Sequence, residues 1–164
     1  MYHDKLIEEV SKYVGFQEKG DNRGPEVEMF QRFVDGKASG EPWCCCMMQY
    51  GVGQVERREK IRTRLFKTEH VMTMWNKTPV ELRVAQPRPG CIAVWNYVGT
   101  SNGHCGLITK VYPDRIETIE GNTSDSKKVE REGDGVFKKE RLLNPKGKMK
   151  IVGFIDPFAN LMKG

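Results

Sequence analysis

Three consecutive cysteines, Cys44-Cys45-Cys46, follow the turn-like run Gly40-Glu41-Pro42-Trp43 and precede an apolar stretch. A Gly/Pro turn opening into apolar residues is where a helix begins. A cysteine on the first helical turn has its thiolate favoured by the positive end of the helix dipole. Such a sulfur is a candidate nucleophile. The chemistry then needs a histidine to take and return a proton and a polar side chain to orient that histidine. His104 opens an apolar run just after Gly103 and suits the first role, while Glu120 and Asn122, flanking Gly121, suit the second. Residues one and two positions further round a helix point roughly 100° and 200° away. At most one of the three cysteines can therefore face a cleft. Cys44, at the helix start, is the candidate, while Cys45, Cys46, Cys91 and Cys105 read as core, where cysteine commonly sits.

These side chains must be positioned by the elements around them. Leu6, Ile7, Val10 and Val14 recur at helical spacing and predict a helix over 4–14, broken at Gly15 and again by Gly20–Pro25. Pro25 suits the first turn of a second helix, Glu26–Val34. A third helix is expected from Trp43 or Cys44 to about residue 54, and a short one over 69–76, with the basic segment 55–65 left without an assigned form. A Pro-rich loop ends at Pro89-Gly90, and the pattern then turns β-rich. Strands are expected at Cys91–Tyr97, His104–Tyr112, Arg115–Glu120, Val136–Arg141 and Lys150–Ile155, with Gly121-Asn122 opening a polar loop. Helices followed by an antiparallel meander is an α+β layout. Antiparallel pairing of 104–112 with 115–122 would bring Glu120 or Asn122 beside His104. Docking of the Cys44 helix on that sheet does not follow from local pattern.

The runs Gly40-Glu41-Pro42-Trp43-Cys44, Pro89-Gly90-Cys91-Ile92-Ala93-Val94-Trp95, Gly103-His104-Cys105-Gly106-Leu107-Ile108 and Ile119-Glu120-Gly121-Asn122-Thr123-Ser124 together resemble the CHAP family. These are cysteine, histidine-dependent amidohydrolases/peptidases of the papain-like NlpC/P60 superfamily. Similarity extends through Asn22–Phe30, Met74–Pro79 and Val152–Pro157, and so covers nearly the whole chain. The resemblance implies one catalytic domain over 1–164, in which N-terminal helices pack on an antiparallel sheet. It places the nucleophile on Cys44, the general base on His104 and the His-orienting groups on Glu120 and Asn122. Trp43, Asn22 and Glu26 are candidates to line the substrate cleft, with core packing for Trp43 and a helix cap at Asp21 or Asn22 as alternatives. The implied substrate is an amide bond of bacterial peptidoglycan, either the N-acetylmuramoyl-L-alanine bond or a stem or cross-bridge peptide bond. Some members bind calcium through an Asp-rich loop beside the cysteine. Residues 35–43 offer only Asp35 and Glu41, so no metal and no cofactor is expected. The family's common aspartate after Pro-Gly is Cys91 here, and its apolar residue after Gly-His is Cys105.

Bulk properties are those of an ordinary globular domain. The 164 residues are 38% hydrophobic and 30% charged, with a net charge of +5. That charge is spread along the chain, without a nucleic-acid motif, and favours only a mild attraction to a polyanion. Five cysteines, three of them contiguous, make a poor disulfide framework and suit a reducing compartment. The scattered His3, His70 and His104 and the lack of a C-x-x-C pair argue against a zinc site. His3 is expected in a frayed terminus, and His70 as a structural or surface residue. The N-terminus does not read as a signal peptide, and no apolar run approaches a membrane span. The expectation is a monomer made in the cytoplasm, acting on the cell wall after holin-type release, virion delivery or injection as a phage-type lysin does. Two other readings stand beside it: an intracellular papain-like amidase acting on a small peptide, and a non-catalytic phage structural module.

Overall fold

The structure is a computed structural model that describes residues 1–123 and 134–161. Among the described residues four helices come first: α1 (Tyr2–Ser11), α2 (Pro25–Asp35), α3 (Cys44–Glu59) and α4 (Val71–Lys77). A 3-10 turn, Val80–Leu82, leads into six strands: β1 (Arg83–Val84), β2 (Ile92–Tyr97), β3 (Gly103–Val111), β4 (Arg115–Thr123), β5 (Gly135–Leu142) and β6 (Met149–Ile155). This is the expected papain-like α+β arrangement. None of the described helices is long and apolar enough to cross a membrane.

Helix α3 is the centre of the fold. Ten of its sixteen residues are buried, as befits a helix packed on several sides. It continues five residues past the expected end, through Gly51 and Gly53, because the missing side chains admit neighbouring helices. A Cβ at position 51 would stand 2.7 Å from Val10 Cγ2 on α1. The helix stops where Lys60 turns left-handed (φ 55°) and its N–H bonds the Glu56 carbonyl, a usual C-terminal stop. The basic segment 55–65 is thus half helix and half ordered loop. The loop is held by Glu56 Oε1, which accepts from both the N–H and the hydroxyl of Thr63 at 2.6 Å.

All strand pairings are antiparallel, in the order β1-β6-β2-β3-β4-β5. Strands β2 to β5 form the expected meander, and β6 returns to the free edge of β2. The two-residue strand β1 was not expected, because it lies inside a Pro-rich connection and is recognisable only by its pairing with β6. Nor does the chain leave the sheet at Gly121: β4 runs on to Thr123, with a register shift between Glu120 and Thr123 and a left-handed Asn122 (φ 53°). Ser124, the last residue of that motif, lies outside the described residues.

The main core lies between the helices and one face of the sheet and contains Cys44, Cys45, Cys46 and Cys105. A smaller cluster of Cys91, Ala93, Trp95, Ile108, Ile116 and Phe154 covers the other face. His3 is not frayed. It lies in α1, its Nε2 sits 2.8 Å from Asp156 Oδ1, and its ring meets Phe158 edge-on, which ties the first helix to the segment after β6.

Candidate active site

Trp43 is the N-cap of α3 and Cys44 its first helical residue. The first N–H groups of a helix have no intrahelical acceptor, so the Cys44 sulfur sits where unpaired N–H dipoles favour negative charge. A contact from the sheet holds this end in place: Asn122 Oδ1 on β4 accepts the Trp43 backbone N–H at 3.3 Å. Cys44 is only 6% exposed. Its small exposed part opens on a cleft of about 170 Å³ lined by Glu41, Cys44, Glu69, Tyr97, His104 and Asn122, among others.

His104 lies at the start of β3, opposite Trp95 of β2, and the two rings are 5.9 Å apart. Its Nε2 is 2.5 Å from Glu120 Oε1. With Nε2 occupied by Glu120, Nδ1 is the nitrogen left to serve the Cys44 sulfur. Burial opposes a charge on His104, but the Glu120 carboxylate and the bonds to Cys44 and Glu120 outweigh it and raise the imidazole to about 10. Glu120 is fully buried. Burial opposes its charge too, yet His104 and Arg141 hold the carboxyl far below its usual range. Gly106, two residues after His104 on the same face, makes room for this arrangement: a Cβ there would stand 2.5 Å from Glu120 Cγ.

The Cys44 thiol is held well below its ordinary value. The largest cause is a hydrogen bond from Cys105; burial works the other way, and His104 adds a bond and a charge. The Cys105 thiol, buried beside Cys44 and Cys45, is pushed up by these two neighbours and by burial. Burial raises Cys46 strongly and Cys91 to about 11. Cys45 is fully buried, its thiol donating to the Thr68 carbonyl at 3.2 Å. Near neutral pH, iodoacetamide is therefore expected to modify Cys44 alone. Peptide mass mapping that found another cysteine alkylated first would contradict this ordering.

The sequence-derived site residues divide clearly. Cys44, His104 and Glu120 come together as expected. Asn122 joins them at the cleft but holds the helix start through Trp43 N–H. Trp43, Asn22 and Glu26 do not line the cleft. Trp43 is fully buried, stacked on Phe30 at 6.1 Å, with its Nε1 donating to Glu18 at 2.8 Å. The helix start carries its ring inward, under the sheet. Asn22 bonds the Gly40 carbonyl at 3.1 Å and its own carbonyl accepts from Gln31, so it shapes the loop ahead of Trp43. Glu26 lies in the first turn of α2, whose buried face of Val27 and Phe30 turns toward α3 and not toward the cleft. Trp43→Phe keeps an aromatic ring beside Phe30 but removes the bond to Glu18 and part of the buried ring packed near Gly121. It is expected to lower stability by about 1–3 kcal/mol and to leave the catalytic rate of the folded enzyme unchanged. Denaturant unfolding alongside kinetics checks this, and a loss of substrate affinity would return Trp43 to the cleft.

Residues that sequence reasoning missed come from distant segments. Cys105 read as plain strand core, yet it shares the buried core with Cys44 and is the largest influence holding that thiol down. Thr118 and Arg141 both bond Glu120. Glu69, ahead of α4, joins Asp35 and Glu41, and these carboxylates present oxygens within 4.8 Å of one another at one side of the cleft. Burial and the charges of Glu41 and Asp35 raise Glu69. Binding with one or both oxygens each, three carboxylates offer about three to six of the roughly six to eight oxygens that calcium takes.

A helix-terminal thiol docked against an imidazole on an antiparallel sheet is the layout of the papain-like α+β class. Within that class the chain belongs to the CHAP domain family, whose members are cysteine- and histidine-dependent amidohydrolases: the family's model matches residues 36–122, more than half of the chain. The matched span includes Cys44, His104, Glu120 and Asn122, and ends before β5. No curated protein and no solved structure matches the chain.

Proposed function

We propose that this protein hydrolyses an amide bond of bacterial peptidoglycan, either the N-acetylmuramoyl-L-alanine bond or a stem or cross-bridge peptide bond, in the manner of a phage-type lysin. The observation that carries the reading is the relay Cys44–His104–Glu120 at the cleft of a CHAP-family chain. The Cys44 thiolate attacks the amide carbonyl, and the Cys44 N–H at the helix start holds the developing oxyanion. Protonated His104 gives its proton to the leaving amine. Water, deprotonated by His104, then cleaves the thioester and restores the thiol. Glu120 holds the imidazole tautomer and supports its charged form, and Asn122 keeps the helix start against the sheet. The net charge of +5 favours approach to an anionic wall.

The direct test is digestion of purified peptidoglycan with mass analysis of the fragments. New amino termini or released stem peptides would name the bond, and intact glycopeptides from every wall chemotype tested would refute the substrate. The pH dependence is a second check. The raised imidazole keeps its proton, and the stability that goes with it, below its ordinary value of 6.5, and loses both as pH rises through about 10. Because leaving-group protonation needs that proton, kcat is expected to hold through neutral pH and to fall on the alkaline side near 10. An alkaline limb near pH 7 would mean that Glu120 does not support the imidazolium.

A further inference from the structure

We propose that Arg141 is a positioning residue of the catalytic relay, holding Glu120 as an ionised, fixed acceptor for His104. The inference rests on the reading of Cys44 and His104 as the reacting pair. Arg141 lies on β5, beyond the family match, and grips both carboxylate oxygens: Nε donates to Oε2 at 2.9 Å and Nη2 to Oε1 at 2.6 Å. The Thr118 hydroxyl adds a bond to Oε2 at 2.7 Å, and His104 Nε2 lies against Oε1. Each oxygen therefore has two partners, which uses the acceptor capacity of a carboxylate and leaves it no freedom to rotate. The guanidinium also lies over the Trp95 ring, 5.7 Å from its centroid, and Trp95 is the cross-strand neighbour of His104. One side chain thus steadies the carboxylate and backs the ring beside the imidazole.

The charges explain the need. With the thiolate–imidazolium pair formed, Cys44 and His104 cancel, and Glu120 is left as a fully buried negative charge. Arg141, its side chain 17% exposed, supplies the balancing positive charge. Without it, Glu120 would take up a proton more readily and could no longer hold Nε2–H as a pure acceptor, so the imidazole would lose its tautomer and its support. A buried ion pair often adds little to stability compared with an apolar replacement. Stabilisation alone is therefore a weak reason for a bidentate arginine at this place.

The test follows the rate of Cys44 alkylation by iodoacetamide against pH, which needs no wall substrate, together with kcat and KM on peptidoglycan. In Arg141→Met, the acidic limb of the alkylation profile is expected to move up by about one pH unit or more. The kcat is expected to fall by about tenfold to a hundredfold, with KM unchanged because Arg141 does not line the cleft. Arg141→Lys keeps the charge without the two-pronged grip and should show a smaller shift in the same direction. It also serves as the reading should Arg141→Met not fold. A wild-type alkylation profile in whichever of these variants folds would overturn the proposal. Glu120→Gln supplies the second arm: adding Arg141→Met to it should change the profile no further, and an additional shift would mean that Arg141 does not act through Glu120. If no wall is digested but the profiles shift, the substrate reading falls and the role of Arg141 stands; hydrolysis with unshifted profiles gives the reverse.

Discussion

Cys44→Ala is expected to lower peptidoglycan hydrolysis by at least about 10⁴-fold, since removing the nucleophile of a covalent relay leaves only binding and oxyanion contacts. The fold should survive. Cys44 buries one sulfur at the edge of a core that keeps Cys45, Cys46, Met47 and Met48 in place. Cys44→Ser should be nearly as inactive, because a hydroxyl beside His104 does not ionise as the thiol does. His104→Ala should match these losses, and the double variant should be little worse than either single one, as expected of groups that act as a unit. Fragment release measured by mass spectrometry, with circular dichroism as a fold control, checks the set. Retention of more than about a hundredth of wild-type turnover in folded Cys44→Ala would remove Cys44 from the nucleophile's place.

Gly106→Ala is the second large effect, and it acts without touching a reacting atom. The new methyl would fall 2.5 Å from Glu120 Cγ and 3.2 Å from the Ile119 carbonyl oxygen. Neither neighbour can yield easily: Ile119 is in the sheet, and Glu120 is held by His104, Thr118 and Arg141. Overpacking of this kind costs about 1–3 kcal/mol. Displacing the carboxylate by even a fraction of an ångström turns His104 away from Cys44, and misplacement on that scale can cost about 10²-fold in rate. The expected signature is a kcat loss larger than the stability loss explains, with the acidic limb of Cys44 alkylation shifted as in the Arg141 variants. Wild-type kinetics in a folded Gly106→Ala would show that Glu120 need not sit beneath His104.

The glutamate was accessible to local reasoning because a hairpin is arithmetic. Once 104–112 pairs with 115–122, a residue near the end of the second strand must return to the start of the first. Asn122 was reached by the same step, but the step cannot tell which partner a side chain takes. The left-handed turn at Asn122 aims its amide at Trp43 N–H. Trp43 shows the opposite failure. Beside a cleft-forming cysteine it reads as a cleft wall, yet the rotation of the helix start sends its ring under the sheet onto Phe30. Rotation about a helix axis is set by what packs against it, here α2 and the sheet, and not by neighbours in the chain.

The sequence by itself determined the order of elements, the α+β class, and which sulfur, imidazole and carboxylate could serve the chemistry. The elements and the His104–Glu120 pairing depend on periodicity, turn residues and one hairpin, all of them short-range, while the choice of Cys44 among the sulfurs came with the family resemblance. Only the tertiary structure decided what surrounds them: Cys105 against Cys44, Arg141 and Thr118 on Glu120, and Glu69 with Asp35 and Glu41. Each of these contacts joins separate elements. Its geometry follows from how strands register and how α3 docks on the sheet, which depends on the whole packed core and not on any local run of residues.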